Sequence, residues 1–160
     1  MSSVAADKLV MFRLGDDLFA ADIFSVERVL RYTAPTSVPD MPGYIEGVID
    51  YQARVVPIVN LRRRFELPDR EVSSATRILV LNVAGEWIGC VVDTVTEVAP
   101  FDRTAVVPPP KLFRGLAGEY LKGIIRRNDK LVMFLDVDQR LSSTDRIALL
   151  QVGAEVIALE

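Results

Sequence analysis

The feature that most constrains the fold of this chain is an internal repeat. Residues 8–29 align without a gap with residues 77–98, and residues 44–65 align in the same way with residues 120–141. Apolar positions stay in phase through both alignments. The second copy carries seven more residues between its two segments, in a stretch that includes the run Pro108 to Pro110. Two gapless matches in the same order indicate a duplicated unit, and such a repeat determines the architecture.

Each copy is predicted to be mostly β-strand. In the first copy an apolar, β-branched run meets a Gly-Asp-Asp turn, and a later hairpin turns at Gln52 and Ala53. The spacing of apolar residues in 23–30 favours a short helix. Pro57 favours an edge strand, because proline has no N–H to donate to a sheet. Asn60 is a good N-cap for a short helix directly after it.

The predicted fold class is therefore mainly β, with two related halves at residues 8–65 and 77–141. Several short strands with closely spaced turn signals indicate a small closed β-barrel in each half. A unit of about 60 residues is marginally stable alone, so the two barrels are expected to pack together and leave a groove between them. A C-terminal helix is predicted over residues 142–151, packing back on the barrels.

Charge and the missing histidine exclude several classes of function. The formal net charge is −3 and the isoelectric point is about 5.1, which argues against nucleic acid or an anionic membrane surface as the partner. The chain has no histidine, so it lacks the commonest general base and the commonest metal ligand.

Cysteine usage and the absence of targeting signals indicate a cytoplasmic protein. Cys90 is the only cysteine and cannot form an internal disulfide, which favours a reducing compartment. The N-terminus lacks a basic stretch followed by an apolar one, so no signal peptide is expected. No apolar run approaches the roughly 20 residues of a membrane helix, so no direct membrane insertion is expected.

The chemically suggestive residues have ordinary structural interpretations. Asp16 and Asp17 lie in a predicted hairpin turn, where aspartate bonds to the local backbone. The basic run Arg62 to Arg64 fits a phosphate-binding patch or a solvated helix face, and the acidic residues that follow it favour the helix face. Cys90 and Trp87 are typical core residues. No catalytic constellation, metal or cofactor is predicted.

Five stretches in fixed order carry a resemblance to a known family. They are "LVMFRLGDDLFAADIFSVERVL", "VPDMPGYIEGVI", "VVPIVNLRRRF", "IGCVVDTVTEV" and "EYLKGI". With this order and spacing, over about residues 8–151, the chain resembles the CheW family, the coupling proteins of bacterial chemosensory arrays. The resemblance implies two SH3-like five-stranded β-barrels around a shared core, in agreement with the duplication. It also implies a non-enzymatic adapter without a cofactor.

The resemblance also implies two protein partners. They are the regulatory domain of a CheA-type histidine kinase and the cytoplasmic tip of a methyl-accepting chemotaxis protein. The receptor hairpin is expected in the groove between the barrels, and the kinase domain is expected to pair barrel end to barrel end. Other CheW-like domains are further candidates. Val26, Gly47 and Gly89 match positions that family members use around the receptor groove.

Three positions of the expected receptor site depart from the family pattern. Arg28 stands where the family commonly has glutamate, and Gln52 and Ala53 stand where it commonly has arginine and glycine. If Arg28 and Gln52 pair, the two changes are coupled, because a neutral glutamine avoids repulsion between two arginines. The second copy keeps the acid, as Glu97. Ala53 removes the residue that most easily adopts positive φ, so a different hairpin turn is expected.

The paired change leads to the hypothesis of a dedicated, non-standard receptor or kinase partner. Four functions are candidates for the chain. The first is an adapter that binds receptor and kinase at once. The second is a CheW-like adapter in a pathway unrelated to motility. The third is a ligand-binding or enzymatic barrel, which needs a cavity holding titratable groups. The fourth is a nucleic-acid-binding barrel, which needs a basic face with exposed aromatic residues.

Overall fold

Strands make up most of the structure, a computed structural model that describes residues 8–83, 85–108 and 121–135. The strands are β1 (Lys8–Leu14), β2 (Asp17–Asp22), β3 (Val26–Arg31), β4 (Ile45–Tyr51), β5 (Arg54–Asn60), β6 (Arg77–Val83), β7 (Glu86–Val92), β8 (Thr94–Pro100), β9 (Leu121–Arg127) and β10 (Lys130–Leu135). Among the described residues, the helical elements are 3-10 turns at Ile23–Ser25 and Arg103–Ala105 and the short helix α1 (Leu61–Arg64). The helix predicted over 142–151 lies outside the described residues.

The strands form two five-stranded sheets. Sheet A has the order β8-β1-β2-β10-β9, and sheet B has the order β3-β6-β7-β5-β4. Neighbours are antiparallel except for the β10–β2 and β5–β7 pairs, which are parallel. Replacing each strand by its counterpart in the other copy converts one order into the other. The duplication is therefore present in the topology as well as in the sequence.

The two halves exchange strands, so the predicted barrel boundaries are wrong. The repeat predicts one barrel from residues 8–65 and another from residues 77–141. Instead each copy gives its first two strands to one sheet and its last three to the other. The sheet A strands from the first half are β1 and β2, whereas β3, β4 and β5 belong to sheet B. Neither half can complete a sheet alone, so we infer that the two halves fold as one interlocked unit.

The strands at the centre of the molecule are buried on both faces. In β1, Leu9 and Met11 face a core inside sheet A, while Val10 and Phe12 face a core shared by both sheets. The matching strand β6 divides its side chains in the same way between the shared core and a core inside sheet B. Because both faces are buried, these strands are almost uninterrupted apolar runs, which explains the sequence of "KLVMFRL".

The helix predicted over residues 23–30 is wrong. The structure has a 3-10 turn at Ile23–Ser25, with Asp22 accepting a hydrogen bond from the backbone N–H of Phe24, and then strand β3. Val26 pairs with Leu81 and Arg28 with Val80, so Glu27 is an extra residue, a β-bulge. The bulge shifts the alternation of faces by one residue, and this shift made a strand resemble the spacing of a helix.

Pro57 does not lie in an edge strand, contrary to the prediction. Its strand, β5, lies between β7 and β4. Pro57 is opposite Val48, whose N–H and C=O both bond to Thr36, and the β5–β7 ladder begins only at Ile58. The missing N–H of proline therefore removes no ladder bond at this position.

Candidate partner-binding surface

The bulge in β3 places two predicted site residues on opposite faces of sheet B. Val26 is half-buried and packs against the shared core. Arg28 lies on the same face as Leu30, which packs on the sheet B core, and its side chain is exposed. The two residues therefore cannot belong to one contiguous contact on the same face of the strand.

Arg28 and Gln52 meet at one tyrosine. The Arg28 Nε donates a hydrogen bond to the Tyr51 hydroxyl at 2.8 Å, and the Gln52 side-chain amide donates to the same oxygen at 3.2 Å. The hypothesis that the two positions are coupled is therefore supported by geometry, with Tyr51 as the link. Because β3 and β4 are the two edge strands of sheet B, the Arg28–Tyr51 bond also joins the edges of the sheet.

A second arginine is fixed beside the first by an aromatic ring. The guanidinium carbon of Arg54 lies 3.9 Å from the centre of the Trp87 ring, and the Trp87 and Tyr51 rings are 6.0 Å apart. Trp87 was expected in the core but is half-buried at its rim. A guanidinium over an indole gains about 0.5–1 kcal/mol at an exposed site. Arg28, Tyr51, Gln52, Arg54 and Trp87 form one contiguous surface, the Arg28 face.

At the equivalent end of sheet A, two side chains of opposite charge join the edge strands. The repeat matches Arg28 with Glu97 and Tyr51 with Arg127. Glu97 and Arg127 form an ion pair at 3.6 Å between the edge strands β8 and β9. The same closing position therefore carries a charge-neutralised pair in sheet A and an arginine bonded to a neutral phenol in sheet B.

The two glycines of the predicted site are buried and serve packing. Gly47 has a φ of 142°, and a Cβ there would overlap the carbonyl oxygen of Thr36. A Cβ on Gly89 would lie 2.6 Å from Ile58 Cδ1 and 2.8 Å from Ile78 Cγ2, inside the sheet B core. Since neither residue is exposed, neither presents a side chain or an open surface to a partner.

The β4–β5 hairpin keeps its turn despite the alanine. Gln52 has φ 51° and Ala53 has φ 62°, the two positive values of a type I′ turn. The matching turn has φ 50° at Asn128 and 63° at Asp129, residue types that tolerate this region well. The first-copy hairpin therefore has the same pair of positive φ values as its counterpart in the second copy. The sheet imposes the turn and Ala53 carries the strain.

Replacing Ala53 with glycine is expected to raise the free energy of unfolding by about 1 kcal/mol, because glycine adopts positive φ without a Cβ clash. Urea denaturation measures the change. Ala34→Gly, at an exposed loop residue with an ordinary φ, is the control and is expected to be neutral or destabilising. Equal effects of the two substitutions would contradict the assignment of strain to Ala53.

The basic run at α1 is used for internal contacts. Arg62 forms a two-point ion pair with Asp93, at 2.9 Å and 2.6 Å, and Arg63 pairs with Asp69 at 3.2 Å. Arg64 is buried, with its guanidinium over the Tyr44 ring. The expected solvated helix face is therefore wrong for Arg62 and Arg64. Because the three arginine side chains make these internal contacts, they do not form a phosphate-binding patch.

The Asp93 carboxylate accepts hydrogen bonds from three parts of the chain. Besides Arg62, it accepts from the Gly15 backbone N–H at 2.6 Å and from Arg70 at 3.1 Å. The hydrogen bond from Arg62 lowers the pKa of Asp93 to about 2, against the opposing effect of burial, and the Gly15 bond contributes further. The same bond raises the pKa of Arg62. The cluster fixes the β1–β2 turn and the segment between the two halves against sheet B.

A second polar cluster joins the edges of sheet B. Glu46 on β4 accepts hydrogen bonds from the Tyr32 hydroxyl and the Asn60 amide, both at 2.8 Å. Burial and the bond to Glu46 raise the pKa of Tyr32 to about 12. The phenol therefore stays a donor throughout the physiological range, and it reinforces the closure that Arg28 and Tyr51 make further along the same edges.

The described part of the chain has two small depressions beside the Asp93 cluster. Within it, no group of three or more acidic, cysteine or histidine side chains could hold a metal ion. Two depressions, of about 270 and 160 Å³, adjoin the Asp93 cluster and fall below the roughly 300–1,000 Å³ usual for ligand sites. No helix among the described residues is long and apolar enough to cross a membrane.

The fold is a pair of interlocked five-stranded β-sheets, and comparison with known proteins identifies its family. A family model for the CheW-like domain matches residues 8–145. The chain belongs to the CheW-like domain family. Its members are non-enzymatic scaffolds of chemotaxis, and this chain is one of them.

Relatives and a solved structure agree with this assignment. "Chemotaxis protein CheW" of Treponema pallidum (strain Nichols) is 29% identical over 142 residues, which are 86% of this chain and 84% of that protein. "Protein FrzA" of Myxococcus xanthus is 29% identical over 135 residues, 82% of this chain and 83% of that protein. The crystal structure of the scaffolding protein TtCheW from Thermoanaerobacter tengcongensis superposes with a TM-score of 0.79 at 29% identity, covering 88% of this chain and 90% of that one. The likeness confirms the predicted mainly β fold of two five-stranded SH3-like units.

Proposed function

We propose that this protein couples chemoreceptors to a CheA-type histidine kinase in the cytoplasm. It would bind the cytoplasmic tip of a methyl-accepting chemotaxis protein and the kinase regulatory domain at the same time. Membership of a family of chemotaxis scaffolds supports the proposal. An adapter needs two surfaces held in one fold, and the strand exchange interlocks the two sheets.

The observation that carries the proposal is the different chemistry of two equivalent ends. Sheet A closes with the Glu97–Arg127 ion pair, whereas sheet B closes with Arg28 on Tyr51. A duplicated protein with two identical ends would bind one kind of partner twice. Two unlike ends allow two unlike partners, which is what a coupling protein requires.

A dedicated partner or a pathway outside motility is the second candidate. The exposed arginine on the Arg28 face, where the family resemblance leads to the expectation of an acid, is the observation that favours it. In this second candidate function the protein is still an adapter, but its partner carries a different charge at the contact from the usual partner. Binding measured with partners encoded beside this gene and with partners from a motility system would separate the two candidates.

Binding of each partner by the full chain tests the proposal. The immobilised protein is exposed to the kinase regulatory domain and, separately, to a receptor-tip fragment, both encoded close to this gene. We expect dissociation constants in the micromolar range or tighter, as in transient signalling contacts. Failure of both partners to bind at tens of micromolar would overturn the proposed function.

A further inference from the structure

We propose that the Arg28 face binds a carboxylate-bearing segment of the kinase regulatory domain. The inference rests on the proposed function and specifies the chemistry of one of its contacts. Its basis is the presence of two oriented arginines on one surface, neither of which forms an ion pair with a described residue of the chain.

The two guanidiniums are fixed in place by neutral groups. Arg28 uses its Nε for the Tyr51 hydroxyl, which leaves its terminal nitrogens for another acceptor. Arg54 stacks on Trp87, a contact that occupies the face of the guanidinium and leaves the N–H groups at its edge. A preoriented arginine loses less conformational entropy when it binds, and its planar donors match a carboxylate.

Acidic neighbours do not neutralise this pair among the described residues. Glu27, the bulge residue, accepts a hydrogen bond from the Asn82 amide at 3.2 Å, and no ion pair joins it to Arg28. Glu86 is exposed at the start of β7 and pairs across the sheet with Val83, which faces the shared core. Glu86 therefore lies on the other face of sheet B from Arg28.

In the second copy, the residues that join the two edge strands neutralise each other's charge within the molecule. Glu97 and Arg127 neutralise each other across the edges of sheet A. Closure alone would be served equally well by such a pair in sheet B. Because the first copy instead bonds an arginine to a phenol, its positive charge remains available to an external anion.

The position of the Arg28 face favours the kinase regulatory domain over the receptor tip as its partner. The Arg28 face lies at the rim of the sheet B core, on the face opposite the shared core between the sheets. A receptor hairpin lying between the sheets would approach the side of Val26, whereas a domain placed against the end of sheet B would meet Arg28. The kinase domain is therefore the occupant that this geometry favours.

Charge reversal in the full chain tests the inference. Arg28→Glu and Arg54→Glu are each expected to weaken binding of the kinase regulatory domain by roughly tenfold or more, because a close intermolecular charge pair becomes a repulsive one. The Tyr51 hydroxyl can donate to the new carboxylate of Arg28→Glu, so the sheet edges can remain joined. Circular dichroism and thermal unfolding establish that each variant is folded.

Arg31→Glu is the matched control. Arg31 is exposed on the same strand but on the opposite face, so its reversal changes the net charge equally. We expect the affinity of Arg31→Glu to stay within about twofold of the original chain. Raising the salt concentration should weaken the original chain more than Arg28→Glu, since only the original has the attractive pair.

Several outcomes would overturn the inference, and they are distinct from failure of the proposed function. If the original chain binds the kinase domain and both Arg28→Glu and Arg54→Glu bind equally well, the carboxylate contact does not exist. If Arg31→Glu is as damaging as Arg28→Glu, only overall charge matters. If Arg28→Glu weakens the receptor tip alone, the occupant is the receptor. Absence of any binding by the original chain overturns the proposed function and the inference together.

Discussion

Replacing Gly47 with alanine is expected to lower the free energy of unfolding by about 4 kcal/mol or more. The added Cβ would overlap the Thr36 carbonyl, whose oxygen accepts the Val48 N–H at 2.9 Å. The φ of 142° adds backbone strain for any L-residue. Overpacking costs roughly 1–3 kcal/mol and a strained φ costs a similar amount, so the two together approach the stability of a small domain.

Gly43→Ala is the control for Gly47→Ala. A Cβ at Gly43 has no atom within 4 Å and no positive φ to contend with. Urea unfolding of both variants is expected to show a large loss for Gly47→Ala and a change within about 0.5 kcal/mol for Gly43→Ala. Similar small effects at both positions would mean that the loop carrying Thr36 does not lie against β4 as described.

Replacing Asp93 with asparagine is expected to cost about 3 kcal/mol of stability at pH 7. Asp93 and Arg62 are mostly buried, with side-chain exposures of 15% and 13%, so the substitution leaves a guanidinium without its charged partner. Asp69→Asn is the matched control, because Asp69 is 68% exposed in its pair with Arg63. That loss should stay below about 1 kcal/mol. Equal losses would contradict the structural importance of the Asp93 cluster.

The same carboxylate predicts a dependence of stability on pH. The folded-state pKa of Asp93 is about 2, below the value of 3.8 expected without these contacts. Its ionised form therefore stabilises the fold above the unfolded-state pKa, and that stabilisation disappears as the pH falls through both values. Between pH 5 and 2 the original chain should lose about 2 kcal/mol more than Asp93→Asn. Parallel pH profiles would contradict the low pKa.

The repeat allowed the fold class to be predicted, but not the path of the chain through it. Apolar runs and turn residues of the first half predict β1, β2, β4 and β5 in outline, whereas β3, and β8 through the repeated order of elements, is predicted as a short helix. The exchange of strands between halves could not be predicted, because the side-chain pattern of β3 is compatible with pairing to a strand of either half. Burial on both faces, as in β1, removed the alternation that would have shown which face meets which core.

The structure brings Arg28 and Gln52 together at the Tyr51 hydroxyl, and the role of these residues in partner binding stays a prediction. Tyr51, Arg54 and Trp87 were not predicted, since none belongs to a recognisable motif. A comparison of chemistry between the copies would have found Tyr51, because it stands where the second copy has Arg127. Which faces the side chains take depends on the bulge at Glu27, a backbone feature that sequence patterns do not reveal.

Formation of a ternary complex tests the adapter account most directly. Sedimentation velocity is measured on the labelled receptor-tip fragment with the kinase regulatory domain, with and without the full chain at saturating concentration. We predict that the label moves into a faster species containing all three proteins only when the chain is present. If the kinase domain instead displaces the receptor fragment from the chain, the two partners compete for one surface, and the protein is not a coupling scaffold.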